Sequence, residues 1–344
     1  MSFVSKVAVI ILNWNGKEIL SEFLPSVVKY SQYPDIHIYV ADNGSTDDSV
    51  DFVKTHFPTV SVIKLDKNYG FAGGYNKAME QITEKYAVLL NSDVEVTEHW
   101  LEPLIAHLDQ NEKVAACQPK LLSYKKKTEF EYAGAAGGYI DKYGFPFCRG
   151  RFFNVFEQDN GQYNQIEDIF WASGACLFIR TDIYKQVGGL DHDFFAHMEE
   201  IDLCWRIWAR GYSIAYIPQS KVYHLGGATL SKTNPHKTFL NFRNNLYLLY
   251  KNVHVHYGRI ILMRYLLDFI AFVKFLLGFE FSNARAVIKA HREFLSNRKR
   301  FKTKRLENIK LATVKEIPTI YKGSIVFDFF LKGKKYFYQL NFRK

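Results

Sequence analysis

Apolar runs alternate with helical patterns in the first hundred residues. Four runs rich in β-branched residues predict buried strands at Lys6–Leu12, Ile36–Ala41, Val60–Leu65 and Tyr86–Leu90. Between them, apolar residues at helical spacing predict helices at Gly16–Tyr30, Asp47–His56 and Gly74–Thr83. This alternation is typical of βαβ units, so we predict an α/β fold with a mixed, mainly parallel sheet flanked by helices.

The middle of the chain has a weaker periodicity. Residues Tyr124–Gln165 are rich in Gly, Tyr and charged residues, which predicts loops and short strands that could form a mobile lid over a site. Regular patterns then predict a strand at Asp168–Arg180 and a helix at Met198–Arg210. We therefore predict one domain over residues 1–235, with a first half at 1–100 and a second at 101–235.

The last hundred residues predict a helical extension of different character. Asn241–Tyr250 has an amphipathic pattern, and Tyr257–Gly278 is strongly apolar but contains Arg264, Asp268 and Lys274. At about 100° per residue these three charges fall within roughly a third of the helix circumference. A membrane-spanning helix seldom tolerates them, so we predict a helix lying in the membrane plane with its charged stripe towards water. Packing of this helix on its own domain is the alternative.

The charge of the chain is concentrated in this extension, residues 236–344. The formal net charge is +10, and Arg285–Lys310 has ten Lys and Arg residues against Glu293 and Glu307. Such a block favours an anionic partner, phospholipid or nucleic acid, although a solvated helix face has the same pattern. In the tail, Ile317–Lys344, lysines alternate with aromatic residues in a pattern compatible with a hairpin.

Two features indicate the cellular compartment. Four cysteines are spread without a CxxC pair or metal-ligand spacing, which predicts buried, reduced thiols: Cys117, Cys148, Cys176 and Cys204. Met1–Lys6 leads directly into a strand-like segment without a signal-peptide pattern. Both features favour a cytoplasmic protein.

Polar clusters follow the predicted strands, where ligands of parallel sheets bind. Asn13–Gly16 follows the first strand and Asp42–Asp48 the second, so the Asp42 carboxylate is placed to accept from a base N–H or a ribose hydroxyl. The same residue types also form ordinary turns and helix caps. In Asn68–Asn76 the glycines allow the backbone to approach a phosphate or a sugar. This cluster is neither a dinucleotide fingerprint nor an ATP-binding phosphate loop.

Two further clusters contain carboxylates. Leu89–Glu95 ends a strand in Asn91, Asp93 and Glu95, which suits Mg²⁺ or Mn²⁺ bridging a nucleotide diphosphate. A helix cap is the alternative interpretation of this cluster.

The second acidic cluster lies on the predicted helix that begins at Met198. Glu199, Glu200 and Asp202 fall within four residues and are flanked by aromatic residues, so burial and mutual repulsion would raise one pKa, as a general base requires. An exposed acidic turn is the alternative interpretation. His224 ends a later strand-like run and could complete a metal shell, although a lone histidine is more often structural.

Together these clusters resemble family 2 glycosyltransferases, which have the GT-A fold. The resemblance spans roughly residues 6–227 and is strongest to the bacterial rhamnosyltransferase-like branch of surface polysaccharide synthesis. The matching segments, in chain order, are VAVIILNWNG, ADNGSTDDS, NYGFAGGYN, LLNSDVEV, FWASGACLFIR, GGLDHDFFAHMEEIDLCWR and YHLGG. Their joint order is far more specific than any one of them.

The resemblance implies roles for individual residues. Residues 1–100 would bind the nucleotide sugar, with Asp42 on the base and the others nearby: Asn13, Asn43, Asn68, Gly73, Gly74 and Asn91. Asp93 and His224 would bind the metal, and Glu200 stands at the position of the catalytic base, with Glu199 and Asp202 as alternatives. Trp171, Ser173 and Gly174 would form part of the acceptor pocket. Two positions depart from the family pattern, because Asn91 replaces the first acidic residue of its DxD motif and Glu200 replaces a frequent aspartate.

The expected protein is an inverting, metal-dependent glycosyltransferase. It would move a sugar from a UDP- or dTDP-sugar, possibly dTDP-rhamnose, to a saccharide or polyprenyl-linked acceptor at the inner face of the cell membrane. An anionic membrane surface is the expected partner of the extension, and no nucleic acid is expected. The alternatives are a nucleotidyltransferase, although Lys17 is the only basic residue in Asn13–Glu22, and a non-catalytic adaptor that uses the basic block.

Overall fold

The computed structural model describes residues 6–226 and 234–342. Gly227, the last residue of the family resemblance, lies outside this described part. The strands are β1 Val7–Asn13, β2 Ile36–Asp42, β3 Ser61–Lys64, β4 Tyr86–Asn91, β5 Val94–Val96, β6 Val114–Ser123, β7 Gly138–Asp141, β8 Pro146–Cys148, β9 Arg151–Phe152, β10 Val155–Phe156, β11 Glu167–Asp168, β12 Cys176–Arg180, β13 Ser213–His224 and β14 Ile320–Tyr321.

The helices lie between and after these strands. They are α1 Lys17–Tyr30, α2 Ser49–His56, α3 Gly70–Met79, α4 Glu102–Gln110, α5 Thr181–Gln186, α6 Glu199–Ala209, α7 Pro235–Asn252, α8 Tyr257–Leu277, α9 Phe281–Asn297, α10 Lys302–Leu311 and α11 Ile325–Phe330. Short 3₁₀ helices occupy His192–Phe194, Arg298–Phe301 and Phe337–Gln339.

A mixed sheet forms the centre of the fold. Its strand order is β11-β13-β6-β12-β4-β1-β2-β3, and β5 pairs with β13. Strands β3, β2, β1 and β4 are parallel, as are β6 and β13, whereas β12 is antiparallel to both of its neighbours. The four predicted strands of the first hundred residues are therefore confirmed to within one residue at each end. The predicted strand at Asp168–Arg180 is mostly extended loop, with β12 at its end.

Successive side chains of a strand point to opposite faces of the sheet, so the core has two parts, one on each face. Val7, Val9 and Ile11 of β1 face one side, where they pack against α1, α2 and α4. Ala8 and Ile10 face the other side, which is covered by α3, α5, α6 and the segments that follow. The carboxyl ends of β1, β2 and β4 thus remain at one edge, between these two layers.

A second, five-stranded sheet contains most of the Gly- and Tyr-rich excursion. Its order is β10-β9-β8-β7-β14, and β14 joins β7 in parallel from the far end of the chain. The predicted short strands are confirmed, and Ile140, Phe147 and Phe152 are buried among them. The hairpin predicted for the tail is wrong, because Ile320–Tyr321 pairs with β7 instead of with another tail strand.

The C-terminal helices pack onto the rest of the chain. Leu246 and Tyr247 of α7, Phe294 of α9 and Ile325 of α11 belong to the same buried cluster as the helix-covered face of the central sheet. The division of the chain at residue 235 stays a prediction, and side chains from both sides of it share one core. All four cysteines are buried and free, as predicted.

The orientation predicted for α8 is wrong. Arg264 and Asp268 are only 3% and 1% exposed, and they form an ion pair of 2.7 Å on the side that faces the protein. His291 of α9 completes the contact at 3.0 Å from Asp268. Of the three predicted charges only Lys274 is exposed, and the rest of the solvent side is mainly apolar, with Leu262, Leu266, Phe269, Ile270 and Leu277. Periodicity had identified the charged stripe, but the partners that cover it come from elsewhere in the chain.

Among the described residues, none of the helices combines the length with the apolar character that a membrane crossing requires.

Candidate active site

Asn13 ties the ends of β1 and β2 together. Its side-chain N–H groups donate to Asp42 at 3.3 Å and to Ser49 at 2.9 Å, and Asp42 also accepts from the backbone N–H of Ser45 at 3.2 Å. Asp42 is fully buried and Asn13 is 2% exposed. The two side chains are therefore brought together as predicted, beneath the loop that follows β2. Trp14, beside this loop, is 57% exposed.

Asn43 connects this loop to the segment after β3. Its amide donates to Asn68 Oδ1 at 3.1 Å and to the carbonyl of Gly70 at 3.1 Å, while Tyr69 N–H donates back to it at 2.9 Å. Asn43 and Asn68, each predicted to lie at the donor site, are thus in direct contact. These bonds fix the backbone of residues 68–70 at the edge of the sheet.

The predicted start of the third helix at Gly74 is wrong. Helix α3 begins at Gly70 rather than at Gly74, and Gly73 and Gly74 both lie within it. A Cβ on Gly74 would lie 2.7 Å from Leu12 Cδ1 and 3.0 Å from the Asn43 amide nitrogen. Gly74 therefore allows the helix to approach β1 closely, a packing requirement that outweighs the poor helix propensity of glycine.

His224 lies between two carboxylates. Its Nε2 is 3.1 Å from Asp93 and its Nδ1 is 3.2 Å from Glu131, and all three side chains are buried. Burial opposes the charge on the imidazole, but the charge of Glu131 and the hydrogen bond to Asp93 raise the pKa of His224 to about 10. Burial likewise opposes ionisation of Asp93, and His224 nevertheless holds the pKa of Asp93 below its ordinary value.

The spacing of Asp93 and His224 fits two neighbouring ligands of one cation. Adjacent ligands at about 2.1 Å from an octahedral ion are about 3 Å apart, which is the separation of Asp93 Oδ1 and His224 Nε2. Glu131 lies on the other side of the imidazole, as the carboxylate partners of metal-binding histidines do. Among residues 6–226 and 234–342, no group of three or more His, Cys, Asp and Glu side chains is arranged around one point. The remaining ligands would come from a bound diphosphate and water.

Glu200 lies in the first turn of α6 and lines the same cavity as Asp93 and His224. Burial raises the pKa of Glu200 to about 7, and burial together with the charge of Glu200 raises the pKa of Glu199. One carboxylate oxygen of each residue is buried without a hydrogen-bond partner in the described structure. Glu200 thus combines the cavity position with a pKa suited to a general base, whereas Glu199 is not among the cavity-lining residues.

The loop before Glu199 adopts a strained backbone conformation. Phe195, His197 and Met198 have φ values of 67°, 68° and 75°, in a region that residues other than glycine rarely occupy. The buried amide of Asn244, on α7, donates to the carbonyls of Phe194, Ala196 and His197, each at 2.8 Å. A residue of the C-terminal extension therefore holds the loop that leads into Glu200.

Asp202 is not among the described residues that line the cavity. Its carboxylate is fully buried and accepts from Lys251 at 2.8 Å, from Arg206 at 3.0 Å and from Asn252 at 2.8 Å. Burial opposes its charge, but Lys251 and Arg206 hold the pKa of Asp202 below its ordinary value. Both oxygens are occupied, so the geometry indicates a structural role that joins α6 to α7.

The cavity that contains Asp93 and Glu200 has a volume of about 780 Å³. Asn91 and Trp171 line it, and the Trp171 indole donates to the carbonyl of Tyr139 at 2.9 Å. Gly174 lies beside Glu200, because a Cβ added to it would be 3.9 Å from Glu200 Cβ. The backbone N–H of Ser173 donates to the side chain of Gln118, and the Ser173 hydroxyl accepts from the N–H of Ala175. Ser173 is buried and positions the chain just before β12, but it is not among the described residues that line the cavity.

Several side chains at the site were not predicted from the sequence. They are Glu131 beside His224, Tyr132, Arg151 and Lys237 along the cavity wall, and Asn244 behind the strained loop. Glu131 and Arg151 belong to the excursion that lacked periodicity, and Lys237 and Asn244 to the extension. A buried carboxylate such as Glu131 leaves no local signal, since its partner His224 lies far along the chain.

The site combines polar loops at the carboxyl edge of an α/β sheet, where ligands of such sheets bind, with the Asp93–His224 pair and Glu200 in one cavity. The model of Glycosyl transferase family 2 matches residues 8–188. The chain belongs to this family and is a glycosyltransferase. The nucleotidyltransferase and the non-catalytic adaptor receive no support from these comparisons.

Relatives of known description are similar to more than half of the chain. An N-acetylglucosaminyl-diphospho-decaprenol L-rhamnosyltransferase of Mycobacterium tuberculosis is 24% identical over 223 residues, covering 60% of this chain and 71% of that protein. The O-antigen biosynthesis protein RfbC of Myxococcus xanthus is 24% identical over 225 residues, covering 64% of this chain but only 17% of that larger protein.

Solved structures support the GT-A fold. GalNAc-T7, crystallised with UDP, GalNAc and Mn²⁺, superposes with a TM-score of 0.56 at 15% identity, over 75% of this chain and 50% of that one. TarS of S. aureus, residues 1–349, superposes with a TM-score of 0.53 at 15% identity, over 89% of both chains. At these identities the likeness concerns the fold alone.

Proposed function

We propose that the protein is an inverting glycosyltransferase of surface polysaccharide synthesis, which uses a UDP- or dTDP-sugar, possibly dTDP-rhamnose, and a lipid-linked saccharide acceptor. The observation that carries this proposal is one cavity that contains both Glu200, a half-buried residue whose pKa is raised to about 7 by desolvation, and the Asp93–His224 pair. A base and a pair of side chains that could hold a metal ion beside a diphosphate, in one cavity, suit a single displacement at an anomeric carbon.

In this mechanism Glu200 acts on the acceptor. Its carboxylate takes the proton of the acceptor hydroxyl while that oxygen forms a bond to the anomeric carbon of the donor. The bond from the anomeric carbon to the phosphate oxygen breaks, and the nucleoside diphosphate leaves with the electron pair. A divalent ion, Mn²⁺ or Mg²⁺, bound by Asp93 and His224 would offset the charge of that diphosphate. No protein nucleophile takes part, so the configuration at the anomeric carbon inverts.

The donor specificity is inferred from the loops after β1 and β2. An aspartate that accepts from a pyrimidine N–H suits uracil or thymine, and Asp42 lies at the end of β2 with Asn13 and Asn43 around it. Because the Asp42 carboxylate is buried beneath its loop, base recognition would need the Asn13 and Ser45 bonds to rearrange. The rhamnosyltransferase relative supports a diphosphate-linked acceptor by its name.

Nucleotide binding should raise the melting temperature of the protein in a metal-dependent way. We expect UDP or dTDP with Mn²⁺ to stabilise the native state by about 2.7 kcal/mol at about 100 times its Kd. Asp93→Ala should remove this stabilisation, because it deletes one of the two predicted metal ligands. Thermal-shift measurements with UDP, dTDP, GDP and CDP, with and without Mn²⁺, provide the test.

Glu95→Ala is the matched control for this experiment. Glu95 lies two residues after Asp93, but it is paired with Lys127 at 2.7 Å and is not among the described residues that line the cavity. We expect this variant to keep the full nucleotide shift. If no nucleotide stabilises the well-folded wild-type protein, the proposed donor site is wrong.

We also propose that the protein binds the cytoplasmic face of the cell membrane through α8 and the basic residues after it. The exposed side of α8 is apolar from Leu262 to Leu277 except for Lys274, over a length of about 22 Å. Exposed cations follow on α9 and in the next turns, among them Arg285, Lys289 and Lys299. An apolar stripe followed by exposed cations suits the boundary between acyl chains and anionic head groups.

Charge placed on this apolar stripe should weaken vesicle binding. We expect Leu266→Glu and Phe269→Glu each to lower the affinity for vesicles of phosphatidylglycerol and phosphatidylcholine by about 10- to 100-fold. Each change removes an apolar side chain that would be buried in the acyl chains of the bound membrane. Ile166→Glu, at an exposed apolar residue near β11, should change it less than about twofold. Co-sedimentation measures both, and equal binding by all variants would refute the α8 surface.

A further inference from the structure

The cavity has a second end that the proposed mechanism does not use. Beyond Asp93, His224 and Glu200, its wall is formed by the small sheet and the start of α7. Three side chains lie together there, namely Tyr132, Arg151 and Lys237. All three are partly exposed to the cavity.

Arg151 and Lys237 are held against the same ring. The Arg151 guanidinium lies 3.8 Å from the centroid of Tyr132, and the Lys237 ammonium lies 5.2 Å from it. Arg151 Nε also donates to the carbonyl of Phe153 at 2.9 Å, and the guanidinium contacts the buried thiol of Cys148. These contacts fix the orientation of the guanidinium but use only a minority of its five N–H groups.

Among the described residues, neither cation has a carboxylate within ion-pair distance. Within the described ranges, Arg151 and Lys237 form no ion pair, whereas Lys126 on the rim of the same cavity is paired with Glu129. Two partly desolvated positive charges without counter-charge are unfavourable unless an anion binds beside them. A fixed guanidinium and a point-charge ammonium are the groups that bind phosphate oxygens.

His197 contributes a hydrogen-bonding group to this end of the cavity. Its Nε2 is buried and has no partner among the described residues. Burial, and then the charge of Lys237, lower the pKa of His197 to about 4, so the ring is neutral near pH 7. A neutral imidazole without a partner can exchange a hydrogen bond with a bound ligand.

The strand order places these groups across the site from the nucleotide loops. The loops that contain Asn13, Asp42 and Asn68 follow β1, β2 and β3, on one side of β4. Tyr132 follows β6, on the other side of β4, next to Glu131. Asp93, which follows β4, therefore separates the nucleotide side from the Tyr132 side. An anion at Arg151 and Lys237 would belong to the molecule that reaches Glu200 from that second side.

We propose that Arg151 and Lys237 form a subsite for the diphosphate of a diphosphate-linked saccharide acceptor, an inference that rests on the function proposed above. The two positive charges match the charge of a diphosphate that is esterified at both ends. The cavity volume of about 780 Å³ lies within the range of small-molecule sites, so it leaves room for a sugar between this subsite and Glu200.

Binding of inorganic pyrophosphate to the full chain tests the subsite without knowledge of the acceptor. Calorimetry in EDTA and low salt should show binding to the wild-type protein, and Arg151→Gln or Lys237→Gln should weaken it by about tenfold or more, as the loss of a charge-assisted hydrogen bond does. Lys310→Gln, an exposed change of equal charge on α10, should leave the affinity within about twofold.

The affinity for UDP or dTDP with Mn²⁺, measured on the same variants, separates this inference from the donor proposal. We expect nucleotide affinity to stay within about twofold in Arg151→Gln and Lys237→Gln. If nucleotide affinity falls in parallel with pyrophosphate affinity, the two cations bind the donor diphosphate and the acceptor subsite is refuted. If pyrophosphate does not bind, or binds all variants equally, the acceptor subsite is refuted. The donor site is then still decided separately, by the nucleotide measurements.

Discussion

Glu200→Gln is expected to lower kcat by about 10²- to 10⁴-fold while nucleotide affinity stays within about twofold. Glutamine keeps the size of the side chain and its place in the first turn of α6, but it cannot take the proton of the acceptor hydroxyl. The nucleotide loops lie on the other side of Asp93, so their contacts are unaffected. Steady-state kinetics with the donor that the nucleotide screen identifies would measure the effect.

The pH profile provides a second measurement of the same role. Burial raises the pKa of Glu200 to about 7, and a general base acts only when it is ionised. We therefore expect kcat/KM of the wild-type enzyme to rise tenfold per pH unit below about pH 7 and to level above it. An exposed glutamate would level near pH 4.3 instead, its usual pKa being about that value.

Glu199→Gln is the matched control for Glu200→Gln. The two residues are neighbours of equal chemistry, but only Glu200 lines the cavity. We expect Glu199→Gln to retain most of the activity. A larger loss in Glu199→Gln than in Glu200→Gln would transfer the role of the base to Glu199. Retention of the donor configuration in the product would contradict a single displacement altogether.

Asp202→Ala is expected to lower the free energy of unfolding by about 3–5 kcal/mol. The change leaves Lys251 and Arg206, which are 2% and 5% exposed, as buried charges without their shared carboxylate. Since the pKa of Asp202 is lowered, its contribution to stability is present above the ordinary value of 3.8 and is lost as the pH falls below it. Urea unfolding at pH 7 measures the loss.

An exposed ion pair serves as the control for Asp202. Glu80 is paired with Lys77 at 3.0 Å on the surface of α3, and both side chains are well exposed. Glu80→Ala should cost less than about 1 kcal/mol. If Asp202→Ala costs no more than Glu80→Ala, the buried network between α6 and α7 does not stabilise the fold in the way proposed here.

The central sheet could be predicted because its signal is local. Each buried strand is a short apolar run, and the residues at the ends of β1, β2 and β4 meet at one edge because parallel strands share their direction. The prediction that Asn13 lies near Asp42 is therefore confirmed. Asp93 and His224, which the family resemblance assigns to one metal site, also lie together. We predicted the start of α3 four residues too late. Glycines usually indicate a loop, but Gly74 lies within the helix because a larger residue there would clash with Leu12.

The remaining parts depend on contacts between distant segments. The stripe of Arg264 and Asp268 was visible as a periodicity, but the residues that bury it come from α7 and α9. In the same way, nothing near Glu131 or Arg151 in the sequence indicates His224 or Lys237. Sequence periodicity identifies a face of an element, whereas the partner of that face is decided by tertiary packing.

The pairing of β14 with β7 has a consequence for how the protein is made. A ribosome adds about 5–20 residues per second, so β7 emerges well before Ile320 and Tyr321 have been synthesised. Until then the edge of β7 that β14 covers is open. The contact of Lys251 with Asp202 of α6, and those of Asn244 with the loop before α6, form only after the first two-thirds of the chain. A chain that ends before α7 would therefore lack the side chains that hold Asp202 and the strained loop leading into Glu200.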